Sequence, residues 1–169
     1  MRSTNIPALI IWMGITAAAV TAQGQRPVAT TGKGASTTPA GQAPRTIDII
    51  GNDQMQYSIK TITAKPGEVI RIRVISRGTI PKVAMAHNVV VLKPGTDINR
   101  FLTVGAPHRA TDFIAPEMKN MVIAQTPFAG PGEAVPVIFT VPARPGRYPY
   151  LCTFAGHFMA GMQGVLIVK

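Results

Sequence analysis

The sequence predicts an all-β domain, a sandwich or barrel with a short helical insertion. Short apolar runs, Pro-Gly pairs between them, and alternation of apolar and basic residues within 69–75 all point that way. A two-residue period puts one face of a strand on a core and the other in water. Pro-Gly pairs turn the chain sharply between such strands. Many short strands with tight turns bury their apolar faces by packing sheet on sheet.

Taken in order, residues 47–50 (Ile-Asp-Ile-Ile) read as a first strand, and residues 57–63 alternate more loosely. Residues 69–75 (Val-Ile-Arg-Ile-Arg-Val-Ile) have the pattern of a half-exposed strand. Further strands are expected at 89–92, 135–141, 148–152 and 165–168. Pro66-Gly67, Arg77-Gly78, Pro94-Gly95, Pro131-Gly132 and Pro145-Gly146 mark the turns. Residues 96–127 break the rhythm. Thr96 or Asp97 has the side chain to cap a short helix there, and the remainder through Met121 reads as an irregular excursion, of a length that is usually packed and often functional.

The chain has 169 residues, enough for one domain with its own core. Residues 1–22 follow the order of a secretory signal: a basic start, an apolar stretch, then small residues at Val20-Thr21-Ala22. The apolar stretch falls short of the roughly 20 residues that span a bilayer. Cleavage and a periplasmic or exported domain are therefore expected, whereas an uncleaved signal would tether the domain to the membrane. Residues 23–45 lack large apolar side chains and read as a flexible linker, which leaves the folded domain at 46–169.

The net charge is +10. Its Lys and Arg residues are dispersed and accompany no nucleic-acid motif, so no nucleic-acid partner is expected. An acidic redox protein, an anionic membrane surface or the cell envelope fits such a charge better. The single Cys152 cannot form an internal disulfide. In an oxidising compartment a lone thiol needs an occupant such as a metal, or simple burial.

The last eighteen residues carry the chemistry. Cys152, His157 and Met162 recur at five-residue intervals, and the strand-like run 164–169 follows. Cys152 ends an expected strand, and Gly156, Gly161 and Gly164 let the following loop turn back on itself. The other His in a strand-like setting is His87, within Ala86-His87-Asn88-Val89-Val90-Val91. A soft thiolate, two imidazoles and a weak Met sulfur form the ligand set of a blue-copper electron-transfer site. Each residue alone has a plainer role: a buried Cys, a loop His, a satisfied core His, a gap-filling Met. The shared spacing before a terminal strand, with His-Asn upstream, favours the joint reading. His108, in Pro107-His108-Arg109, reads as a surface loop residue.

Beyond the ligand spacing, Asn52-Asp53-Gln54-Met55-Gln56 after Gly51, Ile80-Pro81-Lys82 leading to Met85-Ala86-His87-Asn88, and Cys152-Thr153-Phe154-Ala155-Gly156-His157 resemble the azurins. The longer loop with Ala160-Gly161-Met162 resembles that of the auracyanins. Both are cupredoxins: single-copper, Greek-key β-sandwich electron carriers. The resemblance covers about residues 46–169. It implies one copper ion cycling between Cu(I) and Cu(II), with His87, Cys152 and His157 as strong equatorial ligands and Met162 as the weak axial one. The carbonyl before the first His, here that of Ala86, lies near the metal in azurins. Asn88 would bond across to the Thr153 segment, and Phe154 would pack beside the copper.

Several positions depart from the azurin pattern. The disulfide pair is missing, Ala86 replaces Gly, and Val89 follows the His-Asn pair. Ala155 stands where Pro is common, and one extra residue separates His157 from Met162.

The resemblance also makes His157 the ligand nearest the surface, with Met85, Phe158, Met159 and Ala160 forming an apolar docking patch. The implied partners are transient redox proteins such as c-type cytochromes or copper oxidases and reductases, met by a monomer. A copper enzyme would need a second metal site or an open position with a substrate pocket, and only His108 remains to build one; no enzymatic activity is expected. The rival reading is a periplasmic copper chaperone or storage protein, which would favour exposed Met and His clusters.

Overall fold

The computed structural model describes residues 43–169. The expected signal at 1–22 and nearly all of the expected linker at 23–45 lie outside the described residues. Among the described residues there are eight strands: β1 (Arg45–Asn52), β2 (Thr61–Ala64), β3 (Val69–Arg77), β4 (Val90–Leu92), β5 (Val122–Gln125), β6 (Ala134–Thr140), β7 (Gly146–Leu151) and β8 (Gln163–Val168). They form a three-stranded sheet in the order β1-β3-β6 and a five-stranded sheet in the order β2-β8-β7-β4-β5. β1 runs parallel to β3, and β2 runs parallel to β8. The remaining pairs are antiparallel. This is the expected two-sheet β-sandwich.

The alternation in β3 does what its period requires. Ile70, Ile72 and Val74 are fully buried, while Arg71 and Arg73 lie on the outer face. They join Ile47 and Ile49 of β1, and Tyr148, Tyr150 and Leu166 of the facing sheet, in the main core. β4 is different, because it is buried on both faces. Val91 points into the sandwich core, whereas Val90 and Leu92 belong to a second cluster with Phe101, Ile114, Met118 and Leu151. That explains an unbroken apolar run where a half-exposed strand would alternate.

The insertion supplies the second cluster and is more ordered than an irregular excursion. It holds α1 (Ile98–Gly105), two turns of 3-10 helix (Arg109–Thr111 and Pro116–Met121), and then strand β5. Asp97 caps α1, its carboxylate accepting from the Arg100 N–H at 3.0 Å. β5 was not foreseen because it is four residues long and lacks alternation; its partner β4, from far earlier in the chain, defines it.

Residues 57–63 also differ from expectation, since only Thr61–Ala64 is strand. Upstream, Asn52 Oδ1 accepts from the Gln56 N–H at 3.1 Å and Met55 takes φ 55°. Ser58 then exchanges bonds with the Ile50 backbone, at 2.9 Å each. Local side-chain bonds of this kind compete with a ladder, and Tyr57 is left with a single bridge to Gly51.

Candidate metal centre

His87, Cys152 and His157 converge at one end of the sandwich, their donor atoms all within 4.8 Å of one another. His87 lies just ahead of β4 rather than on a strand. Two backbone bonds to Ala129, of 2.9 and 2.8 Å, pin it there. Cys152 is the first residue after β7. Its N–H donates to the Met162 carbonyl at 3.1 Å, and the Met162 N–H donates to the His157 carbonyl at 3.0 Å. The loop from Cys152 to Met162 is thus cross-braced. Gly156 and Gly161, at φ 83° and 98°, make its turns. Gln56 secures the loop from outside, its side-chain N–H donating to the Ala160 carbonyl at 2.7 Å.

The burial is unusual for such polar groups. His87, Cys152 and Met162 are 0 % exposed and His157 is 2 % exposed. Among the described residues, neither ring nitrogen of His87 has a hydrogen-bond partner. A buried polar atom without a partner costs free energy, and each one calls for an explanation. Burial lowers the His87 pKa, opposed only by the negative charge of Asp53. Burial, with a smaller push from His87, takes His157 from its ordinary 6.5 down to about 4.

Burial also pushes the Cys152 thiol up to about 12, against the backbone N–H groups of Asn88 and Phe154 and the Tyr57 hydroxyl, which favour the thiolate. At neutral pH the site therefore offers two neutral imidazoles and a thiol that gives up its proton only to a cation. That is the protonation behaviour of a donor set suited to a soft metal ion. The rings of His87 and His157 are 5.1 Å apart, and Cys152 Sγ lies 3.4 Å from His157 Nδ1.

Met162 reaches the same place. A Cβ built on Gly51 would come within 2.9 Å of both the His87 ring and Met162 Cε, so Gly51 forms a floor beneath the two. The Ala86 carbonyl lies 3.8 Å from Cys152 Sγ. Asn88 joins the two ligand-bearing segments: its amide donates to Thr153 Oγ1 at 2.9 Å and accepts from the Thr153 N–H at 3.0 Å. Thr153 Oγ1 donates onward to the Asp112 carbonyl at 2.6 Å, which ties the insertion to the centre. Phe154 packs 4.8 Å from the His157 ring and meets Phe113 and Phe128 edge-on.

Around His157, Met159 is 81 % exposed and Ala160 is also exposed. Phe158 and Met85 are half-buried, and Phe158 packs against the second cluster. His108 sits in the insertion, outside the ligand group. Sequence reasoning assigned no role to Gly51, Gln56, Tyr57, Phe113 or Phe128. Their one signal was the Gly51-to-Gln56 match to azurins, which covers the first two.

A two-sheet sandwich that gathers two buried imidazoles and a buried thiol at one end defines the cupredoxins, the blue copper proteins. A family model described as copper binding proteins, plastocyanin/azurin family, matches residues 45–169, and the chain belongs to that family. It is 37 % identical over 127 residues to azurin of Pseudomonas aeruginosa, covering 73 % of this chain and 84 % of that protein. It is 30 % identical over 117 residues to auracyanin-B of Chloroflexus aurantiacus, covering 69 % of this chain but 48 % of that protein, so the match spans about half of auracyanin-B. The solved structure of dithionite-reduced auracyanin from Roseiflexus castenholzii matches with a TM-score of 0.65 at 32 % identity, covering 76 % of this chain and 99 % of that one. Copper is the cofactor, and one-electron transfer is the chemistry this centre serves. An electron carrier of this kind exchanges electrons with redox partners.

Proposed function

We propose that the chain is an exported carrier of single electrons. His87, Cys152 and His157 would hold one copper ion, with the Met162 sulfur as a fourth, weak ligand. The observation that carries this reading is the convergence of the three donors within 4.8 Å in a fully buried setting, with the two His87 ring nitrogens unpartnered. Bound copper supplies a one-electron Cu(I)/Cu(II) couple. The chain's own contribution is to hold the donors still.

Three ties do so: the His87–Ala129 bridge, the Asn88–Thr153 pair, and the backbone bonds between Cys152, Met162 and His157. Outer partners of this kind orient ligands and tune a metal. Burial of all four candidate ligands leaves none of them facing a substrate, which favours a carrier over an enzyme.

His157 is the exit. Exposed Ala155, Gly156, Met159 and Ala160 flank it in the loop, while half-buried Phe158 anchors the loop, and half-buried Met85 is the further candidate for the patch. Such a small apolar rim suits brief contacts with redox proteins such as c-type cytochromes or copper oxidases and reductases. The signal-like residues 1–22 support export, with 23–45 as a linker.

Two measurements test the reading. Met159→Glu should slow electron exchange with a c-type cytochrome several-fold and leave the visible copper spectrum intact. Copper should also leave slowly when a chelator is added. An unchanged exchange rate would remove the docking assignment, and rapid copper release would favour a chaperone.

A further inference from the structure

We infer that Tyr57 is a positioning residue of the copper centre: its hydroxyl clamps the Asn88 carbonyl and so fixes the joined segments that carry His87 and Cys152. This rests on the copper reading above.

Tyr57 is 3 % exposed, deep among apolar side chains of the main core. A phenyl ring would fill nearly the same space, so the hydroxyl needs a reason to be there; burying one without a partner is costly. Its partner is the carbonyl of Asn88. Asn88 directly follows His87, and its side chain makes both bonds to Thr153, which directly follows Cys152. One phenol thus braces the junction of the two ligand-bearing segments. Its ring is held in turn against Tyr150, with centroids 5.8 Å apart.

The phenol has one hydrogen, and it goes to the Asn88 carbonyl, so Tyr57 acts on the centre through the placement of the two segments. Partners beyond the ligands orient them and tune the metal they hold.

Tyr150 provides the control. It is buried in the same core, and its hydroxyl donates to a backbone carbonyl, that of Ile59, at 2.6 Å. That carbonyl lies outside both ligand-bearing segments.

The experiment compares Tyr57→Phe and Tyr150→Phe in the full chain loaded with Cu(II), by reduction potential and by the energy of the thiolate-to-copper absorption band. Tyr57→Phe should keep an intense band but shift its energy. Its potential should move by up to about a tenfold change in the Cu(I)-over-Cu(II) preference, about 59 mV for a one-electron couple. Tyr150→Phe should lose stability with band and potential unmoved. Coincidence of Tyr57→Phe with the wild type would overturn the inference, as would an equal shift in Tyr150→Phe. Absence of the band from the wild type would instead sink the copper reading itself, and this inference with it.

Discussion

The body of the sandwich and its copper-bearing end are equally buried, but they are held together in different ways. In β3, Ile70, Ile72 and Val74 alternate with residues on the outer face and make no polar demands. At the copper-bearing end, His87, Asn88, Thr153 and His157 are buried with Cys152 and Met162. Removing apolar surface from water stabilises the first region directly, at about 25 cal/mol per Å². In the second, each polar group loses its hydration, and the two His87 ring nitrogens recover no hydrogen bond among the described residues. A fold that tolerates this cost at one end places a ligand there. The body supplies stability, and the far end uses some of it.

That contrast can be broken experimentally. Ile72→Ala, in the middle of β3, should cost about 2–5 kcal/mol of stability through lost burial and a cavity. Denaturant unfolding of the metal-free protein would read this, and the copper spectrum of the folded fraction should not change. A large spectral change would mean that the two regions are mechanically coupled.

Asn88→Ala acts at the other end. It leaves the Thr153 N–H without its partner, which should cost about 1–3 kcal/mol. Unlike the β3 change, it should also broaden and shift the copper band, because it unties His87 from Cys152. An unaltered band would show that the Asn88–Thr153 bonds are structural alone.

The smallest effect is on pH dependence. In the unfolded chain the imidazoles take up protons near 6.5, whereas His157 in the fold does so only at about 4, and His87 is shifted the same way by burial. The unfolded state therefore binds more protons between those values, so unfolding free energy rises with pH across the window. Metal-free protein should be stable above the ordinary histidine value and weaken progressively as pH falls from about 6.5 to about 4. The exposed carboxylate of Asp48 and the half-buried one of Glu68, held low by Arg73 and Arg45, act at lower pH, whereas the Asp112 carboxyl, raised by burial, acts in the opposite sense to the histidines. A flat profile there would mean that the imidazoles are better solvated than the structure has them.

The two regions also differ in how far the sequence reveals them. β3 is legible because its pattern is local: seven residues state their own period. The ligand loop is legible for the same reason, since Cys152, His157 and Met162 lie within eleven residues. His87 was found through its His-Asn context, but its true setting, a bridge to Ala129 ahead of β4, depends on a residue far along the chain. β5 and the floor at Gly51 are non-local in the same way. The hydroxyl of Tyr57 acquires meaning only when folding brings the Asn88 carbonyl to it. What stayed hidden is what long-range register creates.

The most direct test of the central claim is the visible absorption spectrum of the domain after addition of Cu(II), beside Cys152→Ser. The account predicts an intense blue thiolate-to-copper band in the first and its loss in the second. A protein that binds copper yet stays colourless, or a band that survives in Cys152→Ser, would contradict it.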